Sequence, residues 1–443
     1  MQTKISYKQI WAISFPIILG SIAQNIITVT DTAFLGRVSE VALGAVALSG
    51  LLYIVFTMLA WGFSCGLQIV VARRYGEGNI NKIGATVEQA LYFIVPLSIV
   101  LFISLRLSSD SLLGYLLKSD NVAKASSQYL NIRSWGIFIS CINYVFRGFY
   151  VGIAKTKVIG STTICMAIVN VILDYIFIFG KMGIPAMGVE GAALASFIAE
   201  ICALVYFVIY SFTKLPYKEY ELFKFAKINW DLMKRLISVS IPTMIQNFLS
   251  LGCWFLFFIF VENLGERPLA SSNIVRSLYM LVNIPIFAFG ASANTLTSQL
   301  IGSKRSDEIM PMLWRVAKLS TVSVLAFTLI IVLFPTYALS IYTDNQELIN
   351  YSVSSIYVIS IASVFFGFGI TFFQAISGTG RTMHALKIET FILILYMTYV
   401  CYFTIYLKSD IAVVWTSETV YAGLLGIISY LYMRSGKWKG AIA

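Results

Sequence analysis

The sequence predicts an all-α integral membrane protein of twelve transmembrane helices in two six-helix bundles, and three observations predict it. Of its 443 residues, 58% are hydrophobic and 12% charged, with a mean hydropathy of +0.81, whereas a soluble globular chain carries about 25% charged residues. Apolar runs reaching the roughly 20 residues that cross hydrocarbon recur along its whole length. Three anchors also return at one offset of 226 residues: Ser14-Phe15-Pro16 as Ser240-Ile241-Pro242, Gly76 as Gly302, and Phe146-Arg147-Gly148 with Gly152 and Thr156 as Phe372-Phe373-Gln374 with Gly378 and Thr382. Two similar halves in an apolar chain are the pattern of a protein that moves a solute across a membrane.

The spans are expected at 10–35, 42–71, 84–107, 125–151, 158–180 and 189–212, then at 234–262, 268–300, 313–341, 347–377, 386–408 and 411–434. The first begins near Ile10, lacks a small-residue cleavage site and continues past Asp31, so it reads as a retained span and not a signal peptide. Residues 213–233 (TKLPYKEYELFKFAKINWDLM) form the one long charged connector. Aromatic and basic side chains alternate there, as suits a segment lying at the cytoplasmic interface. It divides a first bundle, 1–212, from a second, 234–443. Six spans per half is an even number, so both halves enter the membrane from one side, and the pseudo-two-fold axis relating them runs along the membrane normal.

The net charge of +11 reports topology and not nucleic-acid binding. With both termini on one side, 22 Lys and Arg fall on that side and 9 in the opposite loops, leaving Arg147 within a span. The bias places both termini in the cytoplasm of a multi-pass protein of the bacterial inner membrane. The six cysteines have neither metal-ligand nor redox spacing and read as small core residues, and the single histidine, His384, sits in a loop. No cofactor is expected. The absence of a P-loop motif disfavours ATP as a direct energy source.

An acid at mid-bilayer costs about 2.5–3.5 kcal/mol on insertion scales, which makes any such residue a functional candidate. In span 1, Ser21, Gln24, Thr28 and Asp31 form one polar stripe at steps of 3, 4 and 3. Asn170 and Asp174 share a face of span 5, as Ser196 and Glu200 do in span 6. Helix directions bring Asp31, Asp174 and Ser196 to a similar level in the outer half of the first bundle. Carboxylates, an amide and a hydroxyl converging there suit a reversibly held proton or a Na⁺ ion, which takes hard oxygen ligands. Glu88, Glu389 and Glu418 lie closer to span ends, where a structural role in reach of water is expected.

The copy lacks these acids: Asp31 falls on Phe257, Asn170 on Tyr396 and Asp174 on Val400. Its stripe reads Asn247, Ser250, Trp254 and Phe257, and span 10 adds Phe365, Phe366, Phe368, Phe372 and Phe373. A lining of aromatics and mild polar groups, Asn247, Ser250, Trp254, Phe257, Phe368 and Phe372, suits flat, lipophilic or cationic substrates.

These segments resemble the multidrug and toxic compound extrusion (MATE) family over nearly the whole chain. The resemblance is carried by FPIILGSIAQNIITVTDTAFLG (15–36), GLQIVVARRYGEGN (66–79), FRGFYVGIAKTK (146–157), NVILDYIFIFG (170–180) and GVEGAALAS (188–196). It implies two bundles forming a V-shaped cleft and cation-driven efflux of organic compounds. By the same resemblance, Asp31 is similar to the span 1 acid whose protonation is proposed to bend the helix at Pro16, and Gln24 to a polar partner on its stripe. Asn170 and Asp174 resemble the span 5 pair of the cation site, and Ser196 stands where the family often has Thr. The NorM-like branch carries a Glu in span 7 and an Asp in span 10, and those places here hold Ser250 and Thr371. The chain is therefore closer to the DinF-like branch, in which coupling is attributed to the first bundle.

The expected activity is a monomeric antiporter, not an enzyme, that exports organic cations or amphipathic toxic compounds against inward H⁺ or Na⁺, with small organic molecules and membrane lipids as its partners. A lipid-linked saccharide flippase would call for basic residues along the cleft, and a membrane-embedded enzyme for a convergent nucleophile, base or metal set.

Overall fold

The computed structural model describes residues 5–116 and 119–439, apart from the side chains of Asp110 and Leu116. The first and last four residues, expected in the cytoplasm, lie outside the described residues. Among the described residues there are fourteen α-helices and no strand. In order they are α1 (Tyr7–Gly36), α2 (Glu40–Gly76), α3 (Ile83–Leu116), α4 (Asp120–Arg133), α5 (Gly136–Gly152), α6 (Lys157–Phe179) and α7 (Val189–Thr213). They continue with α8 (Trp230–Glu262), α9 (Glu266–Gly302), α10 (Ile309–Leu333), α11 (Pro335–Ser340), α12 (Gln346–Gly378), α13 (Thr382–Cys401) and α14 (Ile411–Arg434). Among the described residues, eleven helices are long and apolar enough to cross a membrane. The expected fourth span is instead divided into α4, of 14 residues, and α5, of 17.

A buried ion pair sits at that division. Arg133 ends α4 and, although counted by charge among the outer loops, is 9% exposed. Its Nη1 donates to Glu200 Oε2 of α7 at 3.0 Å, and Nη2 donates to Oε1. The guanidinium lies 3.9 Å from the centroid of the Tyr53 ring, and the Tyr53 hydroxyl meets Ser140 Oγ at 2.9 Å. Gly136, the first residue of α5, leaves the space for this pair: a Cβ there would come within 2.2 Å of Arg133 Nη1 and 2.8 Å of Glu200 Oε2.

The helices group into two compact units, Phe15–Met244 and the residues before Phe15 together with those from Ile245 onward. We refer to them as the first and second units. Both junctions lie inside continuous helices next to a proline, Pro16 in α1 and Pro242 in α8, where the missing N–H weakens the helical ladder.

Contacts within each unit repeat at the sequence offset. In the first unit Ser240 packs on Gly66, where a Cβ would meet Ser240 Cα at 2.5 Å; in the second, Ser14 Oγ meets Ser292 Oγ at 2.7 Å. Gly148 lies on the Ser64 carbonyl, as Gln374 lies on Gly290, and Gly152 lies on the Gln68 carbonyl, as Gly378 lies on that of Asn294. Small residues at these crossings let helix backbones approach closely, the usual means of holding helices together in lipid.

The connector folds onto the first unit. Glu88 of α3, only 4% exposed, accepts hydrogen bonds from the backbone N–H of Phe225 and of Ala226, each at 2.8 Å. Gln89 accepts from the N–H of Asn229 at 3.1 Å and donates to the Lys227 carbonyl at 3.2 Å.

Glu200→Gln is expected to lower stability by about 3–5 kcal/mol, because the Arg133 guanidinium is then buried without its counter-charge. Thermal unfolding of purified protein checks this. Replacing both partners with Met should recover part of the loss, and an unchanged midpoint for the single variant would show that the pair carries no such weight.

Candidate cation site

The site is built where α1, α6 and α7 come together in the first unit. Gly160 of α6 sits on the Pro16 carbonyl, where a Cβ would stand 2.8 Å away, and Gly20 of α1 faces Thr163. Further along, Ala23, Ile27 and Ala167 form a small apolar cluster with Met166. The Phe34 ring rests against Tyr175 and Phe179, with centroids 6.4 and 5.4 Å apart. Between the apolar cluster and these rings, the Asp31 and Asp174 carboxyl groups face each other from α1 and α6.

Helix α7 is brought alongside by a tight return. Gly180 ends α6 in the left-handed region, at φ 68°, with the Ala186 nitrogen 2.5 Å from where a Cβ would be. Gly191 then lies flat on the Phe177 backbone, at 2.8 Å by the same measure. Asn170, beside Asp174, consequently donates from Nδ2 to Ser196 Oγ at 3.4 Å.

Hydrogen-bond accounting sets the chemistry. Asn170 and Asp174 are 1% and 0% exposed. Both Asp174 oxygens, Asp31 Oδ1 and Asn170 Oδ1 are buried with no donor. Two ionised carboxylates have no proton to share, and burying such groups unsatisfied is expensive. A single H⁺ between them, or a small hard cation among the four oxygens, supplies what the protein leaves out. The charge of Arg133 reaches Asp31, but Glu200 already balances it, so the aspartates remain short of positive charge. Among the described residues no group of three or more His, Cys, Asp and Glu side chains is placed to hold a resident metal ion.

The structure thus gathers Asp31, Asn170, Asp174 and Ser196. It does not bring in Gln24 and Thr28, which are exposed, with Thr28 Oγ1 donating to the Gln24 carbonyl at 3.3 Å. Glu200 is committed to Arg133, a partner that sequence reading missed. Gly136 three residues after that arginine was the available signal. Arg147 lies 3.8 Å over the Trp61 ring, with Nη1 buried and without a hydrogen bond.

In the second unit, Phe257 and Phe372 are core residues at 0% exposure and not an open lining. Phe257 packs edge-on to Trp415 at 4.9 Å, and Phe372 packs with Trp314, Phe368 and Tyr430. Trp254 belongs to the same core as Phe257, and Asn247 is half-buried. Ser250 is taken by Glu389. Contrary to expectation, the second unit has buried acids: Glu389 and Glu418 are 4% and 5% exposed, away from water. Glu418 accepts from the hydroxyls of Tyr279, at 3.0 Å, and Tyr396, at 2.8 Å.

Comparison with known proteins agrees with this arrangement. The family profile described as MatE matches residues 16–176 and 242–403, which is one match to each half of the repeat. The chain is 25% identical over 438 residues to the "Probable multidrug resistance protein NorM" of Thermotoga maritima, covering 98% of this chain and 93% of that protein. It is 32% identical over 282 residues to the protein of the same name from Bacillus subtilis, covering 62% of each; the chain spans under two thirds of the length of this and similar curated relatives. A solved structure described as the outward-facing conformation of a multidrug resistance MATE family transporter of the MOP superfamily superposes with a TM-score of 0.91 at 19% identity, over 98% of this chain and 97% of that one. With its fold and both repeats matched, the chain belongs to the MatE family of membrane transporters.

Proposed function

We propose that the protein is a secondary antiporter that exports organic cations or other amphipathic toxic compounds, driven by H⁺ or Na⁺ moving inward through the Asp31/Asp174 site. It is a transporter and not an enzyme. The observation that carries the reading is the set of four buried oxygens without a donor on Asp31, Asn170 and Asp174. Their need for one positive charge is the physical requirement of a coupling site. The name "multidrug resistance protein" carried by relatives over much of the chain supports the export of varied small molecules.

Alternating access follows from population shift. A cation on Asp31 and Asp174 removes the repulsion between α1 and α6, and its loss restores it. The occupied and empty states therefore favour different conformations of α1. Pro16 is where that helix gives way, because its ladder is already interrupted there. Asp31 and Asp174 lie in the first unit, and Ser250 and Thr371 stand at the places where the NorM-like branch has its acids, which supports the DinF-like reading. The excess of Lys and Arg on one side supports cytoplasmic termini in a bacterial inner membrane.

Asp31→Asn and Asp174→Asn are each expected to lower gradient-driven export in proteoliposomes by roughly 5–150-fold, the range of ordinary coupling free energies. Substrate binding itself should persist in both variants but lose its dependence on the concentration of the coupling ion. Full activity in either variant would remove that residue from the coupling site. Imposing a pH gradient and a Na⁺ gradient separately on the wild type identifies the ion, and export driven by neither would overturn ion coupling.

A further inference from the structure

A separate polar network is built into the second unit. Ser250 Oγ of α8 lies 2.9 Å from the Gln246 carbonyl and also contacts Glu389 Oε1 of α13. The Tyr421 hydroxyl of α14 donates to the same Oε1 at 3.3 Å. Glu389 Oε2 is buried with no partner, as is Gln246 Oε1 one turn before Ser250. Other titratable groups face this acid: Cys253 from α8, and from α14 Glu418 by way of Tyr421. Helix α12 adds Phe366, 6.1 Å from the Tyr421 ring, and further along α13 is Tyr396, 5.8 Å from it.

Counting protons separates the two acids. Ser250 has one hydroxyl proton and two acceptors, the Gln246 carbonyl and Glu389. If Ser250 donates to the carbonyl, the contact with Glu389 requires a proton from the glutamic acid. Oε2 has no donor, and in the neutral acid it is an uncharged carbonyl oxygen, which is less costly to leave unpaired than a carboxylate oxygen. Glu418 differs, because each of its oxygens receives a tyrosine hydroxyl, and it is satisfied as an anion. Neither acid stands at the counterpart of Asp31 or Asp174, which are Phe257 and Val400. Glu389 lies seven residues into α13, about 10 Å along the axis from the end of the unit at which that helix begins.

We propose that Glu389 is a proton-binding site of the second unit, distinct from the Asp31/Asp174 pair, with Ser250 and Tyr421 as its positioning partners and Glu418 as a fixed anion. The proton moves between the glutamate oxygen and water, and no other bond changes. This proposal concerns protonation and stands apart from the export reading.

The test is infrared difference spectroscopy of the full-length protein in lipid vesicles equilibrated at acid and at alkaline pH, which reads the C=O band of protonated carboxyl groups. In an Asp31→Asn/Asp174→Asn background, a band lost on alkalinisation is expected to persist, and adding Glu389→Gln should abolish it. If Glu389→Gln does not fold, Ser250→Ala and Tyr421→Phe retain the acid and should shift the frequency or titration midpoint of the band. A background with no titrating band, a band that survives Glu389→Gln, or a band unmoved by both partner variants would overturn the proposal. Failure of Asp31→Asn to impair export would leave this result untouched.

Discussion

Inside an apolar bundle a carboxylate loses its water, and only hydrogen bonds, an opposite charge or a captured cation replace that water. Much of this structure is arranged around that requirement. Glu88 is satisfied by two backbone N–H groups of the connector, Glu200 by the guanidinium of Arg133, and Glu418 by two tyrosine hydroxyls. Each of these carboxylates fixes architecture: a connector to α3, a broken span to α7, and α14 to α9 and α13. Asp31 and Asp174 have been given no such partner. The same accounting that shows the other acids satisfied leaves this pair short of positive charge, which is what the proposed coupling site rests on.

The duplicated scaffold provides the contrast. Close helix crossings at Gly66, Gly148 and Gly152 recur at Ser292, Gln374 and Gly378, so the two units share a framework despite different cores. Where the first unit has Asp31, Asn170 and Asp174, the second packs Phe257, Tyr396 and Val400 into one core with Trp415. The second unit has not lost its acids but carries them on α13 and α14, at positions the repeat does not relate to the first. The scaffold is symmetric and its buried chemistry is not, since the positions that hold Asp31, Asn170 and Asp174 in one unit hold no acid in the other.

Much of this was legible in the sequence because it rests on periodicity. Apolar runs set the spans and singled out Asp31 as an acid within one, the offset set the repeat, and a step of four placed Asn170 with Asp174. What escaped notice depends on partners from different helices. Arg133 resembles a loop residue until α7 supplies Glu200, and the helix breaks just after it at Ser134 and Trp135. Glu389 and Glu418 resemble span-end residues until tyrosines from other helices close over them. The Phe stripe misled for the opposite reason: spacing along α8 and α12 reports which residues share a face, not whether that face is covered, and Trp415 and Trp314 cover it.

The central claim is that Asp31 and Asp174 hold one cation that substrate binding releases. Its most direct test is to add an organic cation to purified protein in weakly buffered, Na⁺-defined solution while recording pH and free Na⁺. The account predicts release of one of the two ions by the wild type, and its loss in Asp174→Asn. Substrate binding with release of neither ion, or undiminished release in that variant, would contradict it.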